Sequence, residues 1–310
     1  MNITCVEPLG MTADYLERQS KRFAEAGHKL TYFMDRIEDE DALIHRMQEA
    51  DIVVISNIRL SATVLSKCPN LKYLSVAFTG LDHIDLAYCQ QHHIEVQNAS
   101  GYSTVAVSEL AIGLMLDLMR QTTRLDAAIR KGGSRGGYLG AELHGKTIGV
   151  VGTGAIGTAT IRLLKAFGCD IIAYNRTEHP EVKAMGVDYL PIDEVMRRSD
   201  IVTLHVPLTA ETRHLIGRQQ LELMKPTALL INTARGDVVD IQALSEALHN
   251  HTIAGAAIDV YDQEPPLPPT HALLQAPNCL CVPHIGYATR EAFDIRADLV
   301  FNHVAQYLKM

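Results

Sequence analysis

The chain has 310 residues, 47% hydrophobic and 21% charged, with a formal net charge of −8. That length suits two domains, and the acidic balance leaves no broad Lys/Arg surface for nucleic acid. The longest helical apolar stretch, 110–116, stops at Asp117, far short of the roughly 20 residues a membrane span needs.

Short apolar runs rich in Val and Ile alternate with amphipathic stretches. In the first third the predicted strands are 2–6, 29–34, 51–56, 73–78 and 94–97. Unbroken apolar runs suit strands covered on both faces of a parallel sheet. Asp82 is expected to cap the helix that follows it, and His92-His93 to mark a helix end. Residues 103–130 read as one long helix, capped at Ser103 or Thr104 and ended by Lys131-Gly132-Gly133. A second series of predicted strands follows at 147–151, 170–174, 201–206, 228–233, 253–260 and 280–282, with a proline-rich loop at 263–270 and a last helix over 289–308. Repeated βα alternation predicts α/β architecture, with doubly wound parallel sheets in two domains joined near the long helix.

The start, MNITCVEPLG, has no basic n-region followed by an apolar h-region, and the scattered cysteines fit a reducing compartment. A cytoplasmic protein is expected. Cys279 and Cys281 share one face of a predicted strand and read as two small apolar residues. There is no CxxC, no HExxH and no zinc-like Cys/His spacing, so no metal is expected.

The strand ending at Val151 runs directly into Gly152-Thr153-Gly154-Ala155-Ile156-Gly157, and a helix-compatible segment follows. In that context GxGxxG predicts a dinucleotide site. Gly152 serves the tight turn, Gly154 the approach of the pyrophosphate, and Gly157 close helix–strand packing. The helix N-terminus then offers free N–H groups to phosphate. The next strand ends in Asn175-Arg176-Thr177, where an NAD site would place a carboxylate against the ribose. Asn and Arg there can bind a 2′-phosphate, which predicts NADP(H) over NAD(H). The alternative is a solvated Arg176, with Glu178 or another group serving the ribose.

Ligands of open α/β sheets collect at the carboxyl ends of the strands. Three later strands end in Ala234-Arg235-Gly236, Gln263-Glu264-Pro265 and Pro283-His284-Ile285-Gly286. Each residue alone could be a surface charge or a structural histidine. Together they match the needs of 2-oxo acid reduction. Arg235 can grip a carboxylate, His284 can shuttle a proton, and Glu264 can orient the imidazole.

These motifs, with Asn232-Thr233-Ala234-Arg235-Gly236, Ala257-Ile258-Asp259-Val260-Tyr261-Asp262 and weaker matches at 79–85 and 106–110, resemble the D-isomer-specific 2-hydroxyacid dehydrogenase family over nearly the whole chain. The resemblance implies catalytic roles for Arg235, Glu264 and His284. It implies a substrate-carboxylate loop at Phe78-Thr79-Gly80 with Arg235 and His284, and an Asp259 that meets the nicotinamide carboxamide. Asp259 could instead satisfy local N–H groups. Cofactor-lining positions would be Thr104, the glycine loop with Ala155 and Ile156, Asn175 to Thr177, His205, Val206, Pro207, Thr233, Ala234, Arg235, Asp259, His284 and Gly286. Thr104 could equally be a helix cap and His205 a filled strand position.

The resemblance also implies a flavodoxin-like substrate domain, 1–98 plus 287–310, and a Rossmann cofactor domain, 99–286, with a cleft between them. A homodimer through the cofactor domain is implied, with the loop 132–145 crossing to a partner. The implied activity is hydride transfer between a nicotinamide cofactor and a small 2-hydroxy or 2-oxo acid such as glyoxylate or hydroxypyruvate. The rival from another class is a dinucleotide-sensing, corepressor-like binding protein. Gly136-Gly137-Tyr138 stands where many members carry aromatic residues, and Asn57 and Arg59 give no familiar substrate signature.

Overall fold

A computed structural model describes residues 1–37 and 39–310. The chain divides into two units, Met1–Ser103 with Ala288–Met310, and Thr104–Tyr287. The first contains strands β1 (Asn2–Cys5), β2 (Lys29–Tyr32), β3 (Ile52–Ile55), β4 (Tyr73–Val76) and β5 (Glu95–Asn98). They pair parallel in the order β2-β1-β3-β4-β5, the flavodoxin-like arrangement. Helices α1 (Ala13–Glu25), α2 (Glu40–Met47), α3 (Ala62–Ser66) and α4 (Leu86–Gln91) lie in the connections. Every residue of β3 and β4 is buried, as central parallel strands require.

The second unit opens with α5 (Thr104–Arg120) and α6 (Thr122–Arg130). Its strands are β6 (Thr147–Val151), β7 (Asp170–Tyr174), β8 (Asp188–Tyr189), β9 (Ile201–Leu204), β10 (Leu229–Asn232), β11 (Gly255–Ile258) and β12 (Cys279–Cys281). Between them run α7 (Ala155–Ala166), α8 (Pro180–Lys183), α9 (Ile192–Arg198), α10 (Arg218–Leu223), α11 (Ile241–His249) and α12 (Ala272–Gln275). The sheet order is β12-β11-β10-β9-β6-β7-β8. That is the Rossmann order with one added edge strand, and the switch point falls between β6 and β9. Both units are thus doubly wound parallel α/β structures.

The last helix, α13 (Arg290–Tyr307), belongs to the first unit. Thr289 caps it, its hydroxyl accepting from the Ala292 N–H at 3.1 Å. Val300, Phe301 and Val304 are fully buried, each contributing roughly 1.5–3 kcal/mol. The Ser75 hydroxyl on β4 donates to the Val300 carbonyl at 3.0 Å, and Tyr307 stacks on Tyr73 at 4.3 Å. Arg296 is buried under the Phe293 ring and donates to the Leu9 carbonyl at 2.6 Å.

Two expectations are corrected, and one element was not foreseen. The segment 103–130 is two helices, because Gln121 adopts φ +49° and Asp117 captures the next turn. The Asp117 carboxylate accepts from the Thr122 hydroxyl, the Thr123 N–H and the Thr123 hydroxyl. Asp82 does not cap α4. That helix starts later, and Asp85 caps it by accepting from the Tyr88 N–H at 2.9 Å. The edge strand β8 has two residues and no apolar run to announce it. No helix among the described residues is long and apolar enough to cross a membrane.

Candidate active site

Register builds this site. Tyr174, Val151, Leu204, Asn232, Ile258 and Cys281 form one row across the second sheet. The chain positions just past that row are Asn175, Gly152, His205, Thr233, Asp259 and Val282. Arg235 and His284 each lie three residues beyond it, and Glu264 six. The sequence-predicted residues of this unit therefore emerge along one edge.

At the glycine loop the three glycines stand in different surroundings. Gly152 has φ +96°, and a Cβ there would stand 2.6 Å from the His205 carbonyl oxygen. A Cβ on Gly157 would meet the Gly152 carbonyl oxygen at 2.0 Å, whereas one on Gly154 would meet nothing within 4 Å. Gly154 thus opens into a hollow of about 340 Å³, lined among others by Thr104, Ala155, Thr158, Arg162 and His179. Open backbone at a helix N-terminus fits a pyrophosphate.

Sequence reasoning missed Arg162 and His179. Arg162 was findable, because Ala155, Thr158, Ala159 and Arg162 stand at i, i+3, i+4 and i+7 on α7 and share a face. The His179 N–H is held by the Tyr189 hydroxyl at 3.2 Å, a contact no local pattern reveals. The Asn175 side-chain oxygen Oδ1 accepts from the Thr153 N–H at 3.3 Å, and its Nδ2 donates to the Thr177 carbonyl at 2.6 Å. Asn175 therefore shapes its own turn, while Arg176 and Thr177 are exposed.

His205 follows β9 at the switch point. Its Nε2 lies 3.0 Å from the Thr203 hydroxyl, and its Nδ1 is buried with no protein partner among the described residues. Burial pulls its pKa down to about 4, so the ring is neutral at pH 7. The Thr233 hydroxyl is likewise buried without a partner. Two unsatisfied polar atoms beside an open glycine loop fit a polar ligand such as a dinucleotide.

Arg235 is carried by a turn that Asn232 folds. The fully buried Asn232 amide donates to the Arg235 carbonyl at 2.9 Å, and its oxygen accepts from the Ala234 N–H at 3.0 Å. The Arg235 guanidinium donates to the Ala234 carbonyl at 2.7 Å. A Cβ at Gly236 would fall 1.9 Å from the Tyr261 backbone, so only glycine lets the ends of β10 and β11 touch. The Tyr261 hydroxyl in turn donates to the Val282 carbonyl at 2.9 Å, tying in the end of β12.

His284 has φ +53°. Its Nδ1 lies 2.9 and 2.8 Å from the two Glu264 carboxylate oxygens. Only 11% of its side chain is exposed, and its ring meets Tyr287 edge-on at 5.2 Å. Asp259 is buried and accepts from the Ile285 N–H at 2.6 Å and the Gly286 N–H at 2.9 Å. Burial raises its pKa, against the opposing pull of those two N–H groups and of His284. Asp259 therefore does satisfy local N–H groups, and they are the ones that follow His284.

In the first unit, Phe78-Thr79-Gly80 follows β4. The Asn98 amide donates to the Thr79 carbonyl at 2.5 Å, and the Ala99 N–H to the Phe78 carbonyl at 3.2 Å. With its carbonyls taken, the turn is held in one shape. Among the described residues no group of three or more His, Cys, Asp or Glu could hold a metal ion.

Comparison with known proteins gives a consistent set. The family model for the D-isomer specific 2-hydroxyacid dehydrogenase, NAD binding domain, matches residues 112–286. Glyoxylate reductase of Thermofilum pendens is 39% identical over 303 residues, covering 96% of this chain and 86% of its own length. D-3-phosphoglycerate dehydrogenase of Methanocaldococcus jannaschii is 38% identical over 274 residues, 87% of this chain, and the chain spans 52% of that relative's length. Among solved structures, an acyclic imino acid reductase (Bsp5) in complex with NADPH and D-Arg has a TM-score of 0.90 at 28% identity, covering 100% of this chain and 97% of that one.

Proposed function

Because the chain belongs to the D-isomer-specific 2-hydroxyacid dehydrogenase family, we propose that it interconverts a small 2-oxo acid and its D-2-hydroxy acid with a nicotinamide dinucleotide. The observation that carries this reading is His284, held through Nδ1 by both oxygens of Glu264 on the sheet edge that bears the glycine loop. When bound, the dinucleotide supplies or accepts the hydride.

Arg235 grips the substrate carboxylate with its planar fork and polarises the adjacent carbonyl. With Nδ1 held by Glu264, the proton goes to the carbonyl oxygen from the other ring nitrogen of His284. The Glu264 carboxylate balances the imidazolium charge, as in other carboxylate–histidine pairs. In the oxidative direction His284 takes the proton back. By the family resemblance, the backbone N–H groups of Phe78-Thr79-Gly80 on the first unit are the proposed carboxylate-binding loop, the first unit the proposed substrate domain and the second the proposed cofactor domain. Glyoxylate and hydroxypyruvate are the first substrates to try, supported by the glyoxylate reductase relative.

NADP(H) is the proposed cofactor. The exposed Arg176 at the end of β7 and the NADPH held by the imino acid reductase relative support it. Arg176→Ala should then raise KM for NADPH by about 10-fold to 100-fold, the worth of a charge-assisted hydrogen bond, with little change for NADH. A homodimer is proposed from α6, which buries no residue, and from Ile129 and Leu139, which are 62% and 82% exposed. The six unpaired cysteines support a reducing, cytoplasmic setting.

The test is to follow NADPH and NADH absorbance with a panel of 2-oxo acids. Oxidation by at least one acid is expected. Oxidation by none would overturn the reading in favour of a binding protein. Oxidation only when an amine is supplied would move it to imino-acid reduction.

A further inference from the structure

Four of the six cysteines are chemically quiet. Cys5, Cys68, Cys89 and Cys169 are buried, and burial pushes Cys5 up to about 12, Cys68 and Cys89 up to about 11, and Cys169 upward as well. A protonated thiol inside a core is a poor nucleophile.

Cys279 and Cys281 differ in their setting. They stand two apart on β12, the edge strand, so both side chains leave the same face. Both are partly exposed, and their sulfur atoms lie 3.7 Å apart. The Cys281 S–H also donates to the Leu273 carbonyl at 3.9 Å. The Cys279 thiol at 3.7 Å, the Tyr261 hydroxyl and the His271 imidazole all favour negative charge on the Cys281 sulfur. The Cys279–Cys281 hydrogen bond dominates and makes Cys281 the more acidic thiol, Cys279 the less acidic.

We propose that Cys279 and Cys281 are a redox-modification site, a dithiol that a hydroperoxide closes to an intrastrand disulfide, and that closure displaces His284. The Cys281 thiolate attacks one peroxide oxygen. The O–O bond breaks, and the departing hydroxide or alkoxide leaves as water or an alcohol, so Cys281 becomes a sulfenic acid. The Cys279 sulfur then attacks the Cys281 sulfur. The S–S bond forms, the S–O bond breaks, and the leaving oxygen departs as water with the Cys279 proton. Two electrons pass from the sulfurs to the peroxide.

Closure draws on the backbone. Same-face neighbours on a strand have Cα atoms about 6.6 Å apart, near the upper limit of the roughly 4.4–6.8 Å that a disulfide spans and beyond its commonest separation of about 5.5–6 Å. Closure therefore pulls β12 toward a shorter spacing, and the strand can yield. It has three residues and pairs with β11 alone. The far end of the moving segment is clamped, because Asp259 holds the N–H groups of Ile285 and Gly286. His284 lies between the contracting strand and that clamp, three residues from Cys281. A strained disulfide of this kind is also easily reduced, which makes the change reversible by a dithiol.

The effect on turnover rests on the reading of His284 as proton donor; disulfide formation does not. Reduced full-length protein is treated with hydrogen peroxide and analysed by intact mass and peptide mapping, with turnover of a 2-oxo acid followed in parallel. The expected result is loss of two hydrogens, a Cys279–Cys281 cross-link, turnover lost in step with it, and recovery with dithiothreitol. Cys279→Ser should keep its basal turnover, form no disulfide and yield a Cys281 sulfenic acid trapped by dimedone. No cross-link in wild type, or a sulfenic acid on one of the buried cysteines instead, overturns the site. A cross-link that leaves turnover unchanged overturns the displacement of His284. If no 2-oxo acid is turned over at all, the mass result still decides the site.

Discussion

His284 occupies a backbone conformation that side-chain-bearing residues seldom adopt, φ +53°, and its neighbours hold it there. Asp259 pins the two N–H groups that follow, and Glu264 pins the ring. His284→Gln should lower kcat by about 10²–10⁴, the usual worth of a general acid; a folded variant with full turnover would remove His284 from the mechanism. His205 gives a pH prediction. Its folded pKa of about 4 lies below the ordinary histidine value of 6.5, so unfolding takes up a proton between those values. Its stabilising contribution is complete above about pH 6.5 and is lost as pH falls through about 4. Urea midpoints of wild type should fall across that window, and those of His205→Phe should fall less. At this scale the sequence identified Glu264 and His284 as a pair because their chemistry interlocks. It left Asp259 open between two roles because one carboxylate at a strand end suits both.

The junction of α5 and α6 shows what periodicity conceals. No proline interrupts 103–130, yet the helix breaks where Asp117 folds back onto the next turn. Side-chain capture of an N–H competes locally with the helix ladder, and hydropathy does not register it. β8 was illegible for a related reason, since two residues carry no period. The central strands of both sheets were legible because they are buried on both faces and read as unbroken apolar runs. Asp117→Ala should cost α6 about 0.5–2 kcal/mol, the range for a lost cap. Amide exchange over 122–130 should quicken while 104–116 stays protected. Acid should act alike on wild type. Burial alone would raise the Asp117 pKa, but the hydroxyls of Thr122 and Thr123 and the Thr123 N–H outweigh it and hold the carboxyl below its usual range. A depressed carboxyl stabilises above its unfolded value, near 3.9, and that contribution is lost as pH falls through the lower folded value. Exchange in wild-type 122–130 that ignores both acid and the substitution would refute the assigned cap.

For the whole molecule the question is what covers α6 and the segment after it. A lone nine-residue helix is marginal in water, and α6 has no buried side chain to anchor it. Its own Ile129, and Leu139 in the segment after it, present apolar surface that a monomer would leave wet. Two chains of net charge −8 repel one another, so association has to be driven by apolar contact over such a patch. The proposed homodimer therefore predicts a solution mass twice the chain's 34.1 kDa, insensitive to salt once like-charge repulsion is screened. Ile129→Asp with Leu139→Asp places further negative charge on the patch in both copies at once, because a two-fold interface repeats every substitution. Light scattering of that double variant should return the single-chain mass, with the far-ultraviolet circular dichroism of the two sheets retained. A wild-type protein that scatters as a single chain at every concentration would leave α6 supported by Asp117 alone, and the homodimer would be wrong.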